Sequence, residues 1–193
     1  KNKFSLYVKQ GDKIAKKVSL RAITILGNEK EFVPLDIDVH KDLMIIDISD
    51  GKTSPLENPR EKEGWNNKEQ LIYKLRDNGF RIEDKLLKVE NRESADRVSL
   101  VKELKQEIAK KKFSAVILLL EEYDRDSIKE DLINHLSKEV LPLIVLCQNN
   151  PYSARKINKV PVILTYDNSP IHIGPLIEIL TGKKKPRGKL PIN

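Results

Sequence analysis

Cysteine, methionine and tryptophan each occur once in the 193 residues, and aromatic residues make up only 5%. The single thiol, Cys147, excludes an internal disulfide and cannot by itself assemble a zinc centre, so no structural metal is expected. No apolar run approaches the ~20 residues a membrane helix needs, and the N-terminal stretch has no signal-peptide pattern. Phosphate-cradling spacings of the GxxxxGK(S/T) and GxGxxG kinds are missing, which argues against a nucleotide or flavin cofactor. The chain starts without Met in a polar stretch, KNKFSLYVKQ, as a piece of a longer polypeptide would.

What is present is charge and short apolar runs. The 36 Lys and Arg against 29 Asp and Glu give a formal charge of +7, but the two signs are interleaved. Interleaving describes solvated helix faces better than a nucleic-acid surface, so no nucleic-acid partner is expected. A hydrophobic content of 39% suffices for one core and one domain over residues 1–193. The runs DLMIIDIS (42–49), FSAVILLL (113–120), LPLIVLC (141–147) and VPVILTY (160–166) lack clean alternation, as strands buried on both faces of a parallel sheet do. RIEDKLLKVEN (81–91) reads as a weaker strand.

Helical patterns lie between them. NNKEQLIYKLRDNGF predicts a helix over 67–78, with Asn67 and Gln70 spaced as a capping box and a stop at Gly79. Residues 95–111 place Val101, Leu104 and Ile108 on one stripe and end in Lys110, Lys111 and Lys112, where cations suit the helix dipole. Residues 127–138 open with Ser127 and Glu130 and carry His135 on an exposed flank. Residues 174–181 follow a Ser169 cap and Pro170, and stop at Gly182. Upstream, residues 11–20 read as a short helix, and AITILGNEKEFVPL (22–35) as a strand, a Gly-Asn turn and a short return. Strands alternating with helices predict an α/β fold: a three-layer αβα sandwich, flavodoxin-like, with a mainly parallel sheet.

In such sheets ligands bind at the carboxyl ends of the strands. Those loops read SDGKTSP, EEYDRDS, QNNPYS and DNSP. The histidines His40, His135 and His172 fall in a loop, on a helix flank and at a helix start, and suggest no Ser/His/Asp order. Cys147 ends an apolar strand and reads as a buried, inert thiol. The terminal GKKKPRGKLPIN carries Lys183, Lys184, Lys185, Arg187 and Lys189, so it reads either as a basic arm or as a signature in which the glycines and prolines matter.

The second reading connects four stretches. LIEILTGKKKPRGKLPIN resembles the end of the C-terminal domain of glycoside hydrolase family 3, with Gly182, Pro186, Gly188, Lys189, Leu190 and Pro191 in the positions of that family's closing segment. The lead-in residues Ala22, Ile23, Thr24, Ile25, Leu26, Asn28, Pro34 and Leu35 are similar to the family's Ser-Ile-Thr-Leu-Leu-Lys-Asn…Leu-Pro-Leu segment, with Gly27 where Lys is usual. Asn150, Pro151 and Tyr152 resemble the Asn-Pro-Tyr segment of its β-N-acetylglucosaminidase-like branch. Tyr166, Asn168 and Ser169 resemble its Tyr-x-Asn-Ser strand end.

The resemblance implies a soluble bacterial protein of carbohydrate metabolism, cytoplasmic or extracytoplasmic, without a cofactor. In that family the Asp nucleophile sits on an N-terminal (β/α)8 barrel, as does the His-Asp acid/base pair of the N-acetylglucosaminidase branch. That barrel is absent from this chain. The implied organisation is a lead-in helix and strand over 1–35, an αβα core over 36–181 and a closing tail over 182–193. Its implied partners are the barrel and carbohydrate, and its implied role is an accessory, non-catalytic one in a glycosidase. The one weak catalytic candidate is Glu122, in a stretch similar to Glu-Gly-x-Asp-Arg but with Tyr123 in place of Gly. The contact candidates are Asp50, Gly51, Glu122, Asp124, Arg125, Asn150, Tyr152 and Asn168. The alternative is a free-standing flavodoxin-like module that binds a small ligand or a partner protein.

Overall fold

A computed structural model describes residues 2–27, 32–49, 67–88, 94–120, 128–138, 141–148, 151–157, 160–167 and 169–190. The apolar runs form the sheet: β1 (Thr24–Leu26), β2 (Asp42–Ser49), β3 (Arg81–Lys88), β4 (Ala115–Leu120), β5 (Leu143–Cys147) and β6 (Val162–Leu164). Their spatial order is β1-β6-β5-β4-β2-β3, parallel throughout except that β1 runs antiparallel to β6. The sheet is therefore mainly parallel, as its continuous apolar runs predict. Three strands begin two residues inside their runs, because Phe113, Leu141 and Val160 belong to the core without pairing. Hydrophobicity reports burial, and a residue at a strand entrance can be buried without joining the ladder.

Helices cover both faces. On one lie α3 (Ser94–Lys111), α4 (Ile128–Leu136) and the short α5 (Pro151–Ala154), burying Leu104, Ile108, Leu132 and Ala154 against Ile46, Leu118 and Val145. On the other lie α2 (Lys68–Asp77) and α6 (Ile173–Leu180), burying Leu71, Leu75, Leu176 and Leu180 against Ile45, Ile117 and Ile144. Every side chain of β4 is buried. At about 2 kcal/mol per buried aliphatic side chain, this central strand anchors both layers. The result is the expected αβα sandwich.

Three local expectations need correction. The lead-in helix is α1 (Asn2–Ala22), 21 residues long, and runs straight through Gly11. A helical glycine costs about 1 kcal/mol relative to Ala, which the rest of the helix absorbs. Asn67 does not cap α2 with its side chain: it sits at the N-cap with φ 65°, a conformation that aims the side chain away from the first turn's amides. The return after Gly27 forms no strand in residues 32–35; instead the amide of Leu35 donates to the carbonyl of Leu180 at the end of α6. The Ser127 cap lies outside the described residues.

The outer strand β3 carries charge on both faces. Toward α3, Lys85 pairs with Glu107, while Lys111 bridges Glu83 and Glu107. Charge along an outer strand also discourages pairing with another sheet.

The closing segment behaves as the signature reading predicts. Gly182 takes φ 74°, its amide donates to Ile179, and the amide of Lys184 reaches back to the carbonyl of Glu178. The tail then lies along the start of β1, where the amide of Gly188 donates to Ile23 at 3.0 Å. A Cβ on Gly188 would sit 2.1 Å from the carbonyl oxygen of Ala22 and 2.3 Å from Thr24 Oγ1. Only glycine fits there. Leu190 packs against the core, while the lysines remain exposed.

Two outcomes follow. Gly188→Ala forces backbone apart and is expected to cost about 3 kcal/mol, lowering the melting temperature by roughly 6–12 °C in a calorimetric scan. The hydrogen bond from Lys85, helped by that from Lys111, holds the Glu107 carboxyl below its ordinary value of 4.5. A depressed acid stabilises the fold fully above its unfolded pKa and loses that contribution as pH falls through the folded one. Wild type should thus exceed Glu107→Gln by about 0.5 kcal/mol in urea titrations at pH 7, and the gap should close as pH falls below 4.5.

Candidate functional site

The helices that follow β2 and β4 lie on opposite faces: α2 packs on one, α4 on the other. β2 and β4 are neighbours, so their carboxyl ends flank a topological switch point, where open α/β sheets place ligands. The buried polar groups gather along this edge. Asp47, level with Leu86 and Leu119 on the adjacent strands, is 1% exposed. Lys68 at the start of α2 places its Nζ 3.4 Å from Asp47 Oδ2 and 3.6 Å from Asp84 Oδ2. Gln148 and Thr165, also buried, follow β5 and β6. The pairing lets a carboxylate be buried, and it ties α2 to the end of β2 and the middle of β3. Asp47 is too enclosed to reach a substrate, so it does not serve as a general acid or base. Its signal in the sequence was a charge inside the apolar run 43–48.

At the other end of the edge, Ser19 Oγ lies 2.6 Å from His172 Nδ1, and His172 Nε2 lies 2.8 Å from Asp167 Oδ1. With its proton on Nε2 the imidazole donates to Asp167 and accepts from Ser19. Asp167 Oδ1 also accepts the amide of Ser169 at 2.7 Å. These are the residue types of a hydrolytic triad in the opposite setting. Ser19 is 2% exposed and His172 7%, while Asp167 faces solvent. A nucleophile must reach its substrate, and this serine cannot; the chain of bonds fastens α1 to the turn before α6. The sequence suggested no Ser/His/Asp order because the partners lie 153 residues apart.

Between them, three of the four stretches that carry the family resemblance meet. The Thr24 hydroxyl donates to the carbonyl of Ala22 at 3.0 Å and accepts the Tyr166 hydroxyl at 2.8 Å, beside the amide of Gly188. Tyr166 has φ 70°, a left-handed conformation that costs about 1–2 kcal/mol outside glycine. Its bond to Thr24 and the packing of its ring against the core hold it there.

Of the contact candidates, Tyr152 is described: it lies on α5, beyond the carboxyl end of β5, 51% exposed. Asp50, Gly51, Glu122, Asp124, Arg125, Asn150 and Asn168 lie outside the described residues. His135 is exposed on α4 and Cys147 is buried in β5, as expected. Among the described residues no cluster of His, Cys, Asp or Glu could hold a metal, and no described helix is long and apolar enough to cross a membrane.

The Ser19–His172 bond can be measured. In urea denaturation Ser19→Ala and His172→Ala should each cost about 1–3 kcal/mol, and the double variant should cost less than their sum by about 1 kcal/mol. Full additivity would mean that the two side chains do not cooperate.

No protein-family profile matches the sequence, and neither does any curated protein. Solved structures do match by shape. A glycoside hydrolase family 3 β-N-acetylglucosaminidase from Paenibacillus sp. str. FPU-7 superposes over 91% of this chain with a TM-score of 0.68 at 23% identity. The β-glucoside phosphorylase BglX superposes over 96% with a TM-score of 0.62 at 17% identity. The β-N-acetylglucosaminidase from Thermotoga maritima covers 86% at 0.50 and 17% identity. The chain spans 31%, 32% and 30% of the lengths of these three proteins. It has the fold of one part of a glycoside hydrolase family 3 protein, consistent with the C-terminal domain that its closing segment resembles.

Proposed function

We propose that this chain is the accessory, non-catalytic domain of a family 3 glycosidase of the β-N-acetylglucosaminidase branch, a module that packs on an N-terminal (β/α)8 barrel of the same protein and helps shape its sugar site. The observation that carries this reading is the asymmetry of the superposition: 91% of this chain, but 31% of the Paenibacillus enzyme. The chemistry agrees. Retaining hydrolysis needs two carboxyl groups about 5 Å apart, open to the glycosidic bond. Among the described residues of the carboxyl edge, Asp47 is buried against Lys68, and Asp167 is committed to His172 and Ser169. Tyr152 offers an exposed aromatic face of the kind that stacks on a sugar ring or on a neighbouring domain. Asp50, Gly51, Glu122, Asp124, Arg125, Asn150 and Asn168 follow β2, β4, β5 and β6 in the sequence and enter the proposal as contact candidates on that ground alone.

The purified chain alone is expected to release no chromophore from chromogenic β-N-acetylglucosaminides or β-glucosides. Turnover that survives repurification and disappears in Glu122→Gln would overturn the reading and make this domain a source of the catalytic acid. A reading frame that continues upstream into a barrel would support it.

A further inference from the structure

The tail lysines have a second aspect. A cleft of about 360 Å³ opens between the end of α1 and the closing segment, and six cations line it: Lys17, Arg21, Lys183, Lys184, Lys185 and Arg187. Leu20 is the one apolar residue that lines it, and no acidic side chain does. Lys183 is held by Asn78 Oδ1 at 2.6 Å; no ion pair within the described residues neutralises any of the six.

The bland explanation is that these cations complement helix dipoles, since α1 ends at Ala22 and α6 at Leu180. The magnitudes do not match. Each helix end presents about half an elementary negative charge, so two ends neutralise about one of six cations. The backbone that carries the surplus is also fixed in place. Lys17 and Arg21 stand one turn apart on α1, while the tail is tied at one end by the Lys184 amide to Glu178 and at the other by the Gly188 amide to Ile23. Cations crowded around one cleft, on a backbone held at both ends, raise the local positive potential and attract an anion.

We propose that this cleft binds a compact polyanion carrying adjacent phosphoryl groups. A monovalent carboxylate would leave most of the surplus charge uncompensated, whereas linked phosphoryl groups bring several charges into one small volume. Arg21 and Arg187 supply planar forks that suit two phosphoryl oxygens at once, and the lysines act as point charges around them. The volume is that of a small-molecule site. The inference stands on the cleft itself and is independent of the glycosidase reading.

The test is calorimetric titration of the full chain with inorganic tripolyphosphate, with orthophosphate for comparison, at physiological salt. Tripolyphosphate should bind at least about tenfold more tightly than orthophosphate, and more weakly as salt rises. Replacing Arg21 and Arg187 by Ser should weaken it by about tenfold or more, while Lys13, Lys102 and Lys110 together replaced by Ser should leave binding within about twofold. Melting curves on the same variants confirm that each is folded, and the Arg21→Lys, Arg187→Lys variant, which keeps the charge, should fall between. No binding of tripolyphosphate, equal loss in both serine sets, or tighter binding of a twelve-base-pair DNA duplex than of tripolyphosphate would each overturn the assignment.

Discussion

The contact on which this architecture turns is the amide of Gly188 against the carbonyl of Ile23, at a distance where no Cβ fits. β1 is three residues long and pairs on one side, with β6, so its own ladder holds it weakly. Gly188 approaches the backbone at the start of that strand and fixes where α1 must end. Thr24, one residue on, then takes the Tyr166 hydroxyl, which holds a residue in a left-handed conformation just beyond β6. The turn containing Tyr166 leads into Asp167, whose carboxylate receives His172, and His172 in turn holds Ser19 on α1. First helix, last strand and tail are thereby closed into one ring of bonds. Three stretches of the family resemblance, those of Thr24, Tyr166 and Gly188, take part in this closure.

The sheet was legible because a strand buried on both faces must be apolar at every position, and β4 shows this without exception. The helix α3 was legible from a stripe, Val101, Leu104 and Ile108, that lies in the core. What could not be read was any feature set by a distant partner. Asn67 has the composition of a cap, but its left-handed backbone overrides the side chain's preference. The segment 32–35 has the composition of a strand, yet its amide at Leu35 is taken by the end of α6. His172 looked like an ordinary helix start because Ser19 lies 153 residues away. Of the site, the edge was predictable from topology, and Asp47 announced itself as a charge within an apolar run. The lysines were read as incidental because a linear sequence cannot reveal that Lys17 and Arg21 face them across a cleft.

The carboxyl edge carries two kinds of polar group with opposite consequences. Asp47, Gln148, Thr165 and His172 are buried, and each must be satisfied within the protein. Tyr152 and Asp167 face outward and can meet another surface.

Residues 183–187 form a short span between two positions that admit only a narrow choice, the left-handed Gly182 and the crowded Gly188. Lys183 keeps its bond to Asn78, but because both ends of the span are pinned by backbone bonds, the exposed side chains of Lys184, Lys185 and Arg187 have little duty to the fold. Mutation can rewrite them in charge and length while the scaffold stays the same. Descendants of one stable module could thus diverge in what they attract at this spot, with natural selection acting on the span as on a replaceable cassette.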